Sequence, residues 1–170
     1  MPDSAPFSLQ PATAEDAGPL AALHTVVADC LTNKHGRGPW SSRSTGKGVL
    51  HALRTLRVFL AREGAEIVGT LRLTTKKPWA IDTNYFSPCT RAVYLLGLAV
   101  AQARQNQGIG RQCLEEAKQV ARAWPADAIR LDAYDAEAGA GAFYTRCGWA
   151  EVGRVVYRKA PLIYFELRLE

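Results

Sequence analysis

The chain has 170 residues, of which 48% are apolar and 22% charged; this size suits one domain with a sizeable core, and the composition excludes intrinsic disorder. Its net charge of +5 is unevenly spread: Lys34, Arg37, Arg43, Lys47, Arg54, Arg57 and Arg62 fall between Asp29 and Glu63 with no acid among them. That segment lacks the interleaved aromatics of a single-strand binder and matches no nucleic-acid module, so a solvated basic surface is expected and no nucleic-acid partner. The longest apolar run, Ala92 to Ala101, is too short for a membrane span. The opening Met-Pro-Asp-Ser-Ala-Pro has neither the basic nor the apolar region of a secretory signal. A soluble, cytoplasmic protein is expected. Cys30, Cys89, Cys113 and Cys147 form no CxxC pair and offer no zinc spacing with the scattered histidines. They read as reduced thiols in or near the core, with no metal site.

In chain order, a short strand over Phe7–Gln10 precedes the helix-starting residues Thr13-Ala14-Glu15-Asp16, and Pro19 suits a first helical turn. Leu20, Leu23, Val27 and Leu31 then recur at helical spacing. Residues 33–48 are a loop by composition; its Gly46-Lys47 pair lacks the first glycine and the closing Ser/Thr of a nucleotide P-loop. A short helix is expected over Val49–Leu56, and strands over Arg57–Ala61 and Glu66–Thr74, joined by a turn at Glu63-Gly64. Lys76–Arg91 is a longer loop. The continuously apolar Val93–Val100 reads as a strand buried on both faces. A helix from Gly108 to Ala123, a strand over Ala128–Asp135 and a helix over Ala138–Arg146 follow. A hairpin of Val152–Tyr157 and Leu162–Leu167 closes the chain, with Pro161 in the connection. This order implies an α/β or α+β sandwich built on a mixed sheet, and without repeat or linker the whole of 1–170 reads as one domain.

Chemistry concentrates at Gln105-Asn106-Gln107-Gly108-Ile109-Gly110-Arg111, where an apolar strand ends, a glycine-bearing turn follows and a helix begins. Glycines let backbone approach an anion, and a helix start offers unpaired N–H groups with partial positive charge, so the turn can hold a phosphate or pyrophosphate. A dinucleotide fingerprint is disfavoured. Cys113 stands where its third glycine belongs, although Asp132 lies near the expected downstream position. A second element, Phe143-Tyr144-Thr145-Arg146-Cys147-Gly148-Trp149, is a short helix carrying an aromatic pair and stopped by a glycine.

Taken together, these two segments resemble the GNAT superfamily of acyl-CoA-dependent N-acetyltransferases. Gln105, Gly108 and Gly110 match its Arg/Gln-x-x-Gly-x-Gly/Ala motif, Val100 matches the valine five residues earlier, and Phe143, Tyr144, Gly148 and Trp149 match its later aromatic element. The resemblance implies a mixed, mostly antiparallel seven-stranded sheet flanked by about four helices. It also implies acetyl-CoA as cosubstrate, direct transfer to a primary amine through a ternary complex, and no metal. Backbone groups of Leu98 and Val100 would pair with the pantetheine arm, and amides from Gln105, Asn106, Gln107, Gly108, Ile109, Gly110 and Arg111 would hold the pyrophosphate. Tyr144 would stand by the cofactor sulfur as the acid for the leaving thiolate. Two positions depart from the pattern: Glu137 replaces an asparagine that contacts the pantetheine, with Asp135 a substitute for it, and Gln102 replaces a proline.

The base that frees the amine is open among Asp82, Tyr94 and Asp132. On the acceptor side, Trp40, Trp79 and Tyr85 can wall a pocket and Asp82 can meet a cationic amine, whereas Arg37 and Arg43 suit an acidic acceptor or the 3′-phosphate of CoA. A small-molecule amine is the leading acceptor; a protein Nα-amine or lysine, and a non-catalytic acyl-CoA sensor, are the alternatives. The closing hairpin supplies an edge for a homodimer.

Overall fold

The computed structural model describes residues 7–170; residues 1–6, on which the reading against a secretory signal rests, lie outside the described residues. Among the described residues seven strands form one sheet: β1 (Gln10–Pro11), β2 (Arg57–Glu63), β3 (Glu66–Thr74), β4 (Ala92–Val100), β5 (Ala128–Tyr134), β6 (Ala150–Tyr157) and β7 (Ala160–Arg168). Their order is β1-β2-β3-β4-β5-β7-β6. Every pairing is antiparallel except β4 with β5. Among the described residues four α-helices flank the sheet: α1 (Ala17–His35), α2 (Gly46–Thr55), α3 (Ile109–Ala123) and α4 (Gly141–Arg146). No helix among the described residues is long and apolar enough to cross a membrane.

Each helix buries one face on the sheet. Ile109, Cys113, Leu114, Ala117 and Ala121 recur along α3 at helical spacing and join Leu71, Leu73, Val93, Leu95, Ile129, Leu131 and Phe165 in the main core. Leu20 and Ala21 of α1, with Val49 and Ala52 of α2, form a smaller core against Val58 on the other side. A third cluster, Ile81, Phe86, Tyr94 and Tyr164, seats the loop between β3 and β4. That loop is further held by a buried ion pair between Arg130 Nε and Glu166 Oε2 at 3.0 Å, with Arg130 Nη2 donating to the Ser87 carbonyl at 2.6 Å. The Ser87 hydroxyl donates to Glu166 Oε1.

Several boundaries differ from the sequence reading. Helix α1 continues through Lys34 and His35, and the Lys34 charge suits a helix C-terminus. Helix α2 begins at Gly46, because the Thr45 hydroxyl accepts the Gly48 amide at 3.0 Å and caps it. Pro161 lies inside β7, paired with Val156. The hairpin turn is instead Arg158-Lys159, both at positive φ (48° and 68°) as a tight two-residue connection requires. Strand β4 is buried on both faces only over Val93–Leu95.

Candidate active site

The reason β4 loses its cover is a wedge in the sheet. β4 and β5 pair only over Ala92–Tyr94 and Ala128–Arg130, while β3 follows β4 as far as Val100 and β7 follows β5 as far as Tyr134. Beyond Tyr94 the two central strands part. A bulge coincides with the split: Thr70 pairs with Ala99 but Arg72 pairs with Leu96, so one residue is inserted around Gly97, which stands at φ +62°. Before the bulge Val93 and Leu95 face the α3 side; after it Leu98 and Val100 do. The Ala101 amide donates to the Val68 carbonyl at 2.9 Å. Ladder alternation therefore turns the backbone groups of Val100 and Leu98 toward the open edge. Val100 offers its carbonyl there to the Gln105 side-chain amide at 3.2 Å.

From this edge the chain enters α3 through Asn106 and Gly108, at φ 62° and 85°. The cap residue is Gly108, so no side chain closes the helix start, and no acid occupies the first turn. The first backbone bond into this turn is from the Gln112 amide to the Gly108 carbonyl, at 3.1 Å. Among the described residues the amides of Ile109, Gly110 and Arg111 have no backbone acceptor. These donors, with the helix dipole behind them, suit the pyrophosphate of CoA. Around the turn, Arg104 is drawn away by Glu63 and Glu66, and the Arg111 guanidinium donates to the Arg146 carbonyl at 3.1 Å, tying α3 to the end of α4.

On the same side of the sheet, Tyr144 is buried among Phe143, Trp149 and Phe165, with ring centroids 5.3, 5.7 and 5.6 Å away. Its hydroxyl makes no hydrogen bond among the described residues. Burial, and then the negative charge of Asp132, push its phenol well above the ordinary tyrosine range. It therefore keeps its proton through neutral pH and can only donate it to a strong acceptor.

The opposite face carries the candidate base residues. The Asp82 carboxylate accepts the Asn84 amide at 3.0 Å and caps a 3-10 turn, and Tyr94 is buried in the third cluster. Asp132 makes neither a hydrogen bond nor an ion pair among the described residues. Desolvation raises its carboxyl above the usual range. Trp40 packs edge-on against Tyr134 at 6.1 Å, and Tyr85 packs likewise on Tyr164 at 5.5 Å. Because Tyr164 pairs with Asp132 across β5 and β7, both aromatic contacts border Asp132. Trp79 points to solvent, 85% exposed. Glu137 is at the surface, 4.0 Å from His35 Nδ1, and Asp135 is paired with Arg154 at 3.3 Å.

Two residues here escaped the sequence reading. Arg72, on β3, has a buried Nε with no partner, and desolvation depresses its guanidinium pKa. It lies over Gly97: a Cβ at that glycine would sit 2.6 Å from Arg72 Nη2. The available signals were an arginine between Leu71 and Leu73, and a lone glycine inside an apolar strand. Among the described residues no cluster of His, Cys, Asp and Glu converges as a metal site. The Cys113 thiol, pushed up to about 12 by burial and then by Glu116, is a core residue against Gly69.

The family model for the acetyltransferase (GNAT) family matches residues 21–149. A sequence search of curated proteins finds no match. Solved structures share the fold: ribosomal-protein-alanine N-acetyltransferase from Brucella melitensis has a TM-score of 0.71 at 19% identity, over 95% of this chain and 99% of that one. For yncA from Salmonella typhimurium, solved with its cofactor acetyl-CoA, the values are 0.70 and 15%, over 97% and 95%. An acetyltransferase from Thermus thermophilus gives 0.66 and 23%, over 96% and 97%. The wedge between β4 and β5, the open start of α3 and the family match over 21–149 make this chain a member of the GNAT family of acetyl-CoA-dependent acetyltransferases.

Proposed function

We propose that the protein moves the acetyl group of acetyl-CoA directly to the primary amine of a small molecule, with both substrates bound at once. The reading is carried by the uncapped start of α3, whose free amides open beside the β4 edge and the buried Tyr144. Acetyl-CoA supplies an acetyl group already activated as a thioester. The amides from Gln105 to Arg111 hold its pyrophosphate, and the outward backbone groups of Leu98 and Val100 pair with the pantetheine arm. In the transfer one C–S bond breaks and one C–N bond forms; the amine loses a proton and the sulfur gains one. Tyr144 donates a hydrogen bond to the departing thiolate and hands on its proton as solvent replaces it; because burial raises its pKa above that of the thiol, the hydrogen bond to the developing thiolate carries most of its effect. A backbone N–H of Leu98 or Val100 stabilises the developing oxyanion.

Trp40, Asp82 and Tyr85 wall the acceptor side in this reading, with Trp79 at its outer rim. The whole chain acts as one catalytic domain. Strand β6, an outer strand of the sheet with Val156 exposed, is the edge along which two copies would pair. The test is thiol release from acetyl-CoA against a library of small amines and peptides. Turnover of small amines supports the proposal. Turnover of peptides alone would replace it by protein acetylation, and thermal stabilisation by CoA without any turnover would replace it by a sensor.

A further inference from the structure

We propose that the acceptor is a free amino acid or a close analogue, its ammonium group held by Asp132 and its carboxylate by Arg72; this rests on the acetyltransferase reading above and specifies its acceptor. The two residues occupy one row of the sheet. Arg72 pairs with Leu96 across β3 and β4. Tyr94 pairs with Arg130 across the parallel β4 and β5, and two residues further along the same register sets Asp132 level with Leu96. Residues opposite one another in a ladder share a face, so Arg72, Leu96 and Asp132 all point to the side of α1 and α2, away from α3. Arg72 meets that side directly, lining a cavity of about 40 Å³ with His24, Ser44, Val49 and Ala52.

Both charges are unanswered within the protein. Neither has a hydrogen bond or ion pair among the described residues, and they are not paired with each other. Leaving a part-buried guanidinium and a part-buried carboxylate both unpaired is costly. It is explained if a ligand supplies the complement to each. Their backbones stand two strand spacings apart, about 10 Å, and the wedge widens that gap. The ammonium and carboxylate of an α-amino acid, each with one hydrogen bond, span about 8–9 Å. Arg72 leans toward β4 over exposed Gly97, which shortens its side of the gap. On the face of Asp132 stand the phenols of Tyr134 and Tyr164, with the Asp82 carboxylate beyond Tyr164, and beside Arg72 stands His24, held neutral at pH 7. Arg72 and Asp132 are thus the unpaired positive and negative charges of this row, the complement that a zwitterion requires. A simple amine, an amino-acid amide or a peptide N-terminus would fill the Asp132 end and leave Arg72 unpaired.

The experiment compares amino acids with their decarboxylated amines and amides as acceptors, by thiol release from acetyl-CoA. Expected is a preference for the free carboxylate of about 100-fold in kcat/KM, the discrimination of a site built around a charged hydrogen bond. In R72M the ratio should collapse toward one, and R72K should recover part of it. Thermal melts of R72M should show no loss of stability, since an unpaired cation has been removed; if R72M does not fold, R72K and the wild-type ratio decide. Amines, amides or peptides accepted as well as free amino acids would overturn the zwitterion site and leave the small-amine acetyltransferase standing. Absence of turnover on every small amine would overturn both.

Discussion

Gly110 on α3 touches Phe143 on α4: a Cβ at position 110 would lie 3.1 Å from Phe143 Cζ and 3.6 Å from Val100 Cγ2. The glycine in the first turn of α3 and the phenylalanine of the aromatic helix are therefore two sides of one contact, with the valine that ends β4 as the third. A larger residue at 110 must push α4, and Tyr144 with it, away from the start of α3. We expect G110V to weaken acetyl-CoA binding at least tenfold and to lower kcat, and G110V/F143A to recover part of the binding because the space is restored. Calorimetric titration of acetyl-CoA into the two variants checks this; additive losses would mean the contact is not what position 110 serves.

Gly108 separates packing from charge. It stands at φ +85° with open space where a side chain would go, so a substitution there meets strain but no neighbour. G108A should cost about 1 kcal/mol of stability and bind acetyl-CoA weakly, whereas G108E adds a negative charge where an anion should sit and should abolish binding. Equal affinity in G108E and G108A would contradict an anion site at this turn.

The turn at Gly108 and the helix that holds Gly110 were legible in the sequence because both are local: the left-handed turn and the helix start lie within seven residues. The Phe143-Tyr144 helix was legible for the same reason. Arg72 and Gly97 were not, because their meaning depends on register across three strands and on a bulge that only the pairing of β3 with β4 reveals. The closing turn was hidden differently. Arg158-Lys159 adopts positive φ without the Asn or Gly that signals it, and the nearby Pro161 stretched the expected connection two residues into β7. Asp132 was visible as one of three candidates for the base, and only its lack of partners in the fold sets it apart from Asp82 and Tyr94.

Tyr144 provides a sharp test because its hydroxyl serves no structural bond. Y144F should leave the melting temperature near the wild-type value, since no hydrogen bond within the described residues is lost. It should leave acetyl-CoA affinity near the wild-type value and lower kcat by about 100-fold or more. Because burial and Asp132 both raise its pKa, no loss of activity from Tyr144 ionisation is expected below pH 10. Wild-type kcat in Y144F would remove it as the acid.

The Arg130–Glu166 pair ties the β3–β4 loop to β5 and β7 through Ser87. In E166A the Arg130 guanidinium remains buried, over the Phe86 ring at 4.9 Å, with the Ser87 carbonyl as its remaining partner. Stability should fall by about 3–5 kcal/mol, read as the midpoint of urea unfolding. The double variant R130M/E166L should regain most of it, because an apolar pair of similar volume leaves no orphaned charge. A loss in E166A under about 1 kcal/mol would mean the pair is not buried in solution.

Acid should destabilise the protein through His24. Desolvation between α1 and the sheet, and then the positive charge of Arg72, push its pKa down to about 4, below the ordinary value near 6.5. The unfolded chain therefore binds a proton in the window from pH 6.5 to pH 4 that the folded chain refuses. The contribution of His24 to stability is complete above pH 6.5, declines as pH falls through that window, and is gone below pH 4. Allowing for the partial exposure of the ring, the loss should be about 2 kcal/mol. Asp132 acts with the opposite sign: its raised pKa makes folding less favourable as pH rises through the range just above an ordinary carboxylate. Unfolding midpoints of wild type, H24Q and D132N measured from pH 4 to pH 8 separate the two. H24Q should flatten the acid side of the profile and D132N should raise the neutral side. A profile identical to wild type in H24Q would mean that this histidine is hydrated and free to protonate in the folded protein.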